Sequence, residues 1–215
     1  MFPLNTVLYP GVSVPLHVFE DRYRALVHHL VRIPDPSRRL FGSVAVREGY
    51  ELHDHEHRSL HHVGVRLQLT DVDPHADGTF DIVAVGRDRI RLDRLLTTGP
   101  YLVGEVSVLT DAEEEIPDTL VQQAKATYMA YRHVVCSMTS DPLRGELPSD
   151  PAYLAWAMAA GTPLPTTERQ MVLEANDTAS RLQLLIELLR YELSAMNAVA
   201  SLPALDVTRI RWSPN

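Results

Sequence analysis

The sequence predicts an α+β fold, in which a small β-barrel or sandwich is followed by a helical bundle. Up to residue 110 apolar residues recur at the spacing of strands, and after Asp111 they recur at the spacing of helices. The acidic run DAEEEIPD separates the two periodicities. We therefore predict a β part at 1–110, a helical part at 111–200, a tail at 201–215 and an exposed hinge at Thr110 to Asp118.

Strands are predicted across the β part. Pro10-Gly11 and Pro15 interrupt the first apolar pieces, which suits turns and edge strands because proline has no N–H to donate. Residues Asp21 to Val31 have helical spacing instead. The predicted strands are Val7 to Tyr9, Val12 to Leu16, Phe41 to Arg47, Val63 to Asp73, Phe80 to Val85, Arg87 to Leu92 and Tyr101 to Leu109.

The helical part contains recognisable helix starts. Asp150 precedes Pro151 and the apolar run AYLAWAMAA, so a helix is predicted from there to Gly161. Thr167 and Gln170 have the spacing of a capping box, and Asn176-Asp177 can cap the last helix. A further helix is predicted from its apolar stripe, which consists of Leu120, Ala124, Tyr128, Tyr131 and Val135.

Composition limits the classes of function. The formal net charge of −8 repels phosphate backbones, so nucleic acid is disfavoured as a partner. Cys136 is the only cysteine, which excludes an internal disulfide and a site built from several thiolates. The longest apolar run is too short to cross a bilayer, and the N-terminus lacks the pattern of a signal peptide. We expect a cytoplasmic protein.

The opening segment FPLNTVLYPGVSVPLHVFEDRY resembles the signature of the Lon protease N-terminal, or substrate-binding, domain. The matching residues are Phe2, Pro3, Leu4, Asn5, Pro10, Gly11, Pro15, Leu16, Phe19, Glu20, Arg22 and Tyr23. Asp21 departs from the proline that is common at its place. Further along, DGTFDIVAVGRDRIRL and PYLVGEV resemble the second strand block of that domain, and ERQMVLEANDTASRLQLLIELL resembles its terminal helices.

The resemblance implies a PUA-like β-barrel followed by a helical bundle, and contact with unfolded or tagged substrate proteins. In Lon proteases an ATPase and a serine-lysine peptidase lie downstream. This chain has no G-x-x-x-x-G-K-[ST] motif, and Lys125 is its only lysine, flanked by alanines. We therefore expect a free-standing, non-enzymatic module that needs no cofactor.

The expected partners are unfolded or client polypeptides, for which the chain would act as a recognition module or as an adaptor in protein quality control. A Lon-type protease is a candidate partner, and a weak homo-oligomer is left open. Two alternatives come from other classes: a PUA-like nucleic-acid-binding protein, and an unrecognised hydrolase or metal enzyme.

The signature residues are expected to be mainly structural, with direct ligand contact as the alternative. Phe19 and Tyr23 are four residues apart, and we expect both to pin the first helix to the barrel.

The candidate polypeptide contact lies in the run AYLAWAMAA, because a helix this apolar has no solvent face of its own. It is either the buried centre of the bundle or partly an open patch. We hypothesise that Tyr153 or Trp156, with the adaptable thioether of Met158 beside it, stays accessible to clients.

Three other groups of residues suggest chemistry. Alternating histidines in HDHEHRSLHH, residues 53–62, could converge on a transition metal, although a solvated loop is the favoured interpretation. Arg87, Arg89 and Arg91 could touch RNA phosphates, but we favour a solvated outer face because nearby aspartates neutralise them. Cys136 is expected to be a small buried hydrophobic residue. No metal site is predicted.

Overall fold

The computed structural model describes residues 1–47, 59–111, 115–138 and 146–200. A mixed sheet is followed along the chain by four helices, and one helix lies between the second and third strands. The strands are β1 Phe2–Leu4, β2 Ser13–Val18, β3 Leu40–Val46, β4 Leu60–Pro74, β5 Phe80–Leu96 and β6 Val103–Leu109. The helices are α1 Asp21–Val31, α2 Asp118–Met138, α3 Pro151–Ala160, α4 Thr166–Glu174 and α5 Thr178–Ala200.

The long strand β5 organises the sheet. It pairs with β4 along its length, with β2 through its first half and with β6 through its second half, all antiparallel. β3 then pairs with β4, and β1 pairs with β3 in parallel. The sequence predicted two strands where β5 is continuous, because the ladder to β4 skips Arg87 at a bulge and the alternation breaks there.

Closure of this sheet into the expected PUA-like barrel is not confirmed. Among the described residues no ladder joins β6 to β1, β2 or β3, so the sheet is open. The side chain of Met1 lies beside both Gly42 of β3 and Gly104 of β6, where an added Cβ would come within 2.6 Å and 2.7 Å of it. A side chain therefore occupies the place where a closing pair of strands would meet.

Tyr23 anchors α1 as predicted, but Phe19 does not. The Tyr23 ring stacks on Phe2 with centroids 4.1 Å apart, and burial raises the pKa of Tyr23 to about 12. Phe19 precedes the helix and is 63% exposed, so the expectation that it pins α1 is wrong. The partner of Tyr23 comes from β1, which sequence spacing within α1 could not reveal.

A single hydrophobic cluster spans the sheet and the helices. It contains Leu69 and Ile82 from the sheet together with Leu154, Leu173 and Leu185 from three helices. A second, smaller cluster fills the space around Met1, Ile90 and Leu102. The β part and the helical part consequently share one core.

The predicted hinge lies between the β part and the helical part, and the predicted helix starts follow it along the chain. Asp150 caps α3 by accepting hydrogen bonds from the N–H groups of Ala152 and Tyr153. Residues 112–114 of the hinge lie outside the described residues, so that hinge stays a prediction. Where the structure describes the chain, its helices are too short or too polar to cross a membrane.

Candidate functional site

An apolar cleft opens beside the gap in the sheet, between α1, β3 and β6. Its volume is about 350 Å³. Leu26 and Leu30 of α1 form one wall, Phe41 of β3 lies in it, and Val103 and Val106 of β6 form the other wall. The cleft exists because β6 does not reach β3, so apolar side chains rather than hydrogen bonds line the space between them.

The rim of this cleft carries exposed apolar side chains. Val103 and Val106 of β6 line the cleft and are each at least 40% exposed, and Leu40 of β3 is exposed as well. Val108, further along β6, is also exposed. β6 pairs only with β5 among the described strands, so its second edge forms no ladder with them and is an edge on which another chain could pair. An edge strand with exposed valines is a surface on which an extended chain can form hydrogen bonds and apolar contacts together.

A second, more polar cavity of about 450 Å³ adjoins the first, since Leu40 and Arg66 line both. Arg66 forms an ion pair with Asp88, and Arg87 donates to the side chain of Gln68. Tyr153 of α3 forms the far wall of this cavity. The apolar cleft and Tyr153 thus belong to one continuous surface, which we call the β6–Tyr153 surface and which comprises Leu40, Arg66, Val103, Val106, Val108 and Tyr153.

Tyr153 is the exposed member of the predicted contact set. Its side chain is 58% exposed and lies against the Pro10-Gly11 turn of the N-terminal signature. Gly11 has a φ of 75°, and a Cβ added there would be 2.9 Å from the tyrosine ring. The turn and the aromatic side chain are therefore closely packed, which links the two sets of residues that the sequence singled out separately.

Trp156 and Met158, by contrast, are buried. The Trp156 ring packs between Tyr9, with ring centroids 5.6 Å apart, and the guanidinium of Arg181, 3.7 Å from its centroid. Met158 lies in the shared core. The expectation that Met158 is accessible beside an open aromatic residue is wrong, because Met158 is fully buried among the residues of that core.

A buried ion network joins the sheet to the helices near Trp156. Arg89 of β5 and Arg181 of α5 both bind the carboxylate of Asp111. Arg89 also donates to the backbone oxygens of Leu173 and Ala175 at the end of α4. Burial lowers the pKa of Arg181, and Asp111 opposes this shift. The network fixes the first residues of the predicted hinge onto the helices.

Arg89 corrects the prediction of a solvated arginine face. Arg87 and Arg91 are exposed, but Arg89 is buried among the helices. Sequence analysis also missed Arg181, although a signal existed: Arg181 continues the apolar stripe of Leu185 and Leu189 at helical spacing. A cation on such a stripe is buried only if it is paired, and this one is paired with Asp111.

Within the described residues, the other predicted groups do not assemble into a site. His53, His55 and His57 lie outside the described residues. His61 approaches Glu174, with Nδ1 and Oε1 3.9 Å apart, whereas Nδ1 of His62 lies 3.4 Å from the backbone oxygen of Leu92. Cys136 is partly buried on α2.

Comparison with known proteins gives the family. A family model described as the ATP-dependent protease La (LON) substrate-binding domain matches residues 1–191. The chain belongs to this family. The match includes the N-terminal signature and every residue of the β6–Tyr153 surface, so the resemblance inferred from the signature is confirmed.

The curated relatives that match this chain are much longer. Lon protease 2 of Syntrophobacter fumaroxidans is 28% identical, and the match covers 83% of this chain but only 22% of that protease. Lon protease of Anaeromyxobacter dehalogenans is 27% identical, and the match covers 86% of this chain and 22% of that protease. The chain therefore spans about a fifth of the curated relatives that it matches.

Solved structures agree with the fold. A Lon N-terminal domain protein from Xanthomonas campestris has a TM-score of 0.63 and 26% identity, covering 86% of this chain and 95% of its own. The N-terminal domain of Mycobacterium avium complex Lon protease has a TM-score of 0.60 at 21% identity, and the match covers 88% of this chain and 96% of that domain.

Proposed function

We propose that this protein is a non-enzymatic polypeptide-recognition module, which binds apolar segments of unfolded client proteins and acts as an adaptor in protein quality control. Membership of the Lon substrate-binding family supports the class of ligand. The observation that carries the proposal is the apolar cleft beside the unpaired edge of β6.

Binding would combine two kinds of contact. An extended segment adds to the edge of β6 through backbone hydrogen bonds, which do not depend on sequence. Its alternate side chains enter the cleft, where each buried aliphatic side chain contributes about 1.5–3 kcal/mol. Such a site prefers unfolded chains over folded ones, because only unfolded chains offer a free backbone and apolar side chains together.

Tyr153 extends the same surface by an aromatic contact. Tyrosine offers a large apolar face at a small cost in side-chain entropy and keeps a hydroxyl for hydrogen bonds. Because Tyr153 is packed against the Pro10-Gly11 turn, its position is defined before a ligand arrives. We infer that it contacts the part of a client that passes beyond the end of the cleft.

Nucleic acid binding is less well supported than polypeptide binding. The net charge of −8 opposes a phosphate backbone, and the burial of Arg89 removes the middle cation from the row that suggested such a site. A role beside a Lon-type protease and a cytoplasmic location belong to the same proposal.

The experiment measures binding of a fluorescently labelled, reduced and alkylated protein that cannot fold, by anisotropy. We expect Val106→Glu and Tyr153→Ala to weaken binding at least fivefold, since the first places a charge at the cleft and the second removes the aromatic contact.

Matched controls exist on the helices. Tyr191 of α5 and Met129 of α2 are also exposed, so Tyr191→Ala and Met129→Glu make the same chemical changes away from the surface. Circular dichroism checks that all four variants are folded. If the surface variants bind the unfolded probe as tightly as the controls do, the proposed surface is wrong.

A further inference from the structure

On a different part of the sheet, two histidines and an aspartate converge. We propose that His17, His75 and Asp81 form a binding site for a divalent transition-metal ion of the zinc class. The ligand atoms of the three side chains all lie within 4.8 Å of one another. None of these three residues belongs to the histidine-rich segment, residues 53–62, that the sequence singled out.

Strand register brings these residues together. His17 of β2 pairs with Asp81 of β5, and Asp81 pairs on its other side with Asp73 of β4. His17, Asp81 and Asp73 therefore form one row across three neighbouring strands. Residues at paired positions lie on the same face of a sheet, so the fold itself places the side chains of His17 and Asp81 next to each other.

His75 is placed over this row by the β4–β5 hairpin. Its backbone N–H donates to the oxygen of Thr79 at 2.9 Å, and its own oxygen accepts from the N–H of Gly78 at 3.0 Å. Asp77 holds the same turn by accepting from the N–H of Thr79. The turn is thus closed by backbone hydrogen bonds, which fix the position from which the imidazole reaches Asp81.

The ligand atoms are in hydrogen-bond contact, somewhat closer to one another than the ligands of a bound metal ion. Nδ1 of His17 lies 2.7 Å from Oδ1 of Asp81, and Nε2 of His75 lies 2.9 Å from Oδ2 of Asp81. Zinc bonds of about 2.0–2.2 Å place neighbouring tetrahedral ligands roughly 3.4 Å apart. Because all three side chains are exposed, small rotations of their side chains are enough to admit the ion.

The surrounding charge favours a cation. Asp71 and Asp73 line the same cavity of about 440 Å³ as His17 and Asp81, and its lining contains no arginine. The guanidinium of Arg24 lies beside Gly78 of the same hairpin turn, where it forms an ion pair with Asp21.

The donor set selects the class of metal. Two imidazole nitrogens and one carboxylate suit zinc, cobalt, nickel or iron(II), whereas magnesium and calcium prefer oxygen ligands alone. Three protein ligands leave at least one coordination position facing the cavity, for water or for Asp73. A bound ion would tie β2 to the β4–β5 hairpin, so metal should stabilise the fold.

The test uses the full chain without an affinity tag, in a background carrying His53→Ala, His55→Ala and His57→Ala. This background removes three histidines that could bind metal independently of the site. Zn²⁺ binding is measured by calorimetry, and Co²⁺ binding by the visible absorption of the bound ion. We expect one equivalent of metal per chain and a melting temperature that rises with added Zn²⁺.

His17→Ala and His75→Ala should each weaken Zn²⁺ binding at least tenfold and abolish the thermal shift. The matched control is His133→Ala, which removes an exposed histidine of α2 and should change neither reading. Melting curves in EDTA show whether each variant remains folded. Absence of saturable binding up to 1 mM Zn²⁺ in the background, or equal affinity in the background and both histidine variants, would overturn the proposal.

Discussion

At the scale of single residues, burial separates two aromatic side chains that the sequence places three positions apart. Trp156 is buried in contact with Tyr9 and Arg181, while Tyr153 lies on the surface against Gly11. Helical spacing showed that the two point in different directions. It could not show which direction faces the sheet, because that depends on where α3 packs.

We predict that Trp156→Ala lowers the free energy of unfolding by about 3–5 kcal/mol, because it leaves a cavity between Tyr9 and Arg181. Urea unfolding followed by circular dichroism measures this loss. Tyr153→Ala is the control and should change stability by about 0.5 kcal/mol or less. A stable Trp156→Ala variant with weakened client binding would show that Trp156 is a contact residue after all.

Asp111 offers a second residue-scale prediction. Its carboxylate forms ion pairs with two buried guanidiniums. Asp111→Ala removes the negative charge that both of them contact, so it should lower the free energy of unfolding by about 3–5 kcal/mol. The ion pair of Asp88 with Arg66 is partly exposed, and Asp88→Ala should cost about 0–1 kcal/mol. If chemical denaturation shows that both variants lose the same free energy of unfolding, the buried network adds nothing specific to stability.

At the scale of elements, local signals predicted the helices better than the strands. α3 begins after Asp150 as its cap and proline indicate, and α1 spans the predicted residues. α4 was predicted from the wrong signal: no side chain caps it, and Gln170 instead donates to the backbone oxygen of Val63. A capping box needs only neighbours in sequence, whereas this hydrogen bond requires β4 to be in place.

The start of α5 allows a prediction of pH dependence. Asp177 accepts a hydrogen bond from the N–H of Ser180, which lowers the pKa of Asp177 in the folded state. The unfolded chain then binds more protons than the folded one at acidic pH, so this stabilisation is present above the ordinary aspartate pKa of about 4 and is lost as pH falls through the lowered folded-state value.

Asp177→Asn keeps an acceptor but removes the charge. We therefore expect it to be less stable than the unchanged protein at pH 7, with a difference that shrinks as pH falls from about 4 to 3. Paired urea titrations across this range measure it. A difference independent of pH would assign the effect to geometry rather than to charge.

At the scale of the whole molecule, the order of strands and helices could be predicted, but the opening in the sheet could not. Alternation along β6 shows only that one face is apolar, and the signature implied a closed barrel by family resemblance. Whether β6 meets β3 depends on Met1, Gly42 and Gly104, which are far apart in sequence. The β6 part of the candidate binding surface results from this opening and was missed together with it, whereas Tyr153 was predicted from the sequence.

The shared core leads to the last prediction. Leu69 and Ile82 of the sheet belong to the same hydrophobic cluster as Leu154 and Leu185 of the helices, and Arg89 adds buried hydrogen bonds across the junction. Neither part can bury its apolar face alone, so unfolding should be a single cooperative transition. Circular dichroism and intrinsic fluorescence should give coincident urea curves, and a fragment of residues 1–110 should not unfold cooperatively. Two separated transitions, or a cooperatively folded fragment, would show that the predicted boundary near residue 110 divides two independent domains.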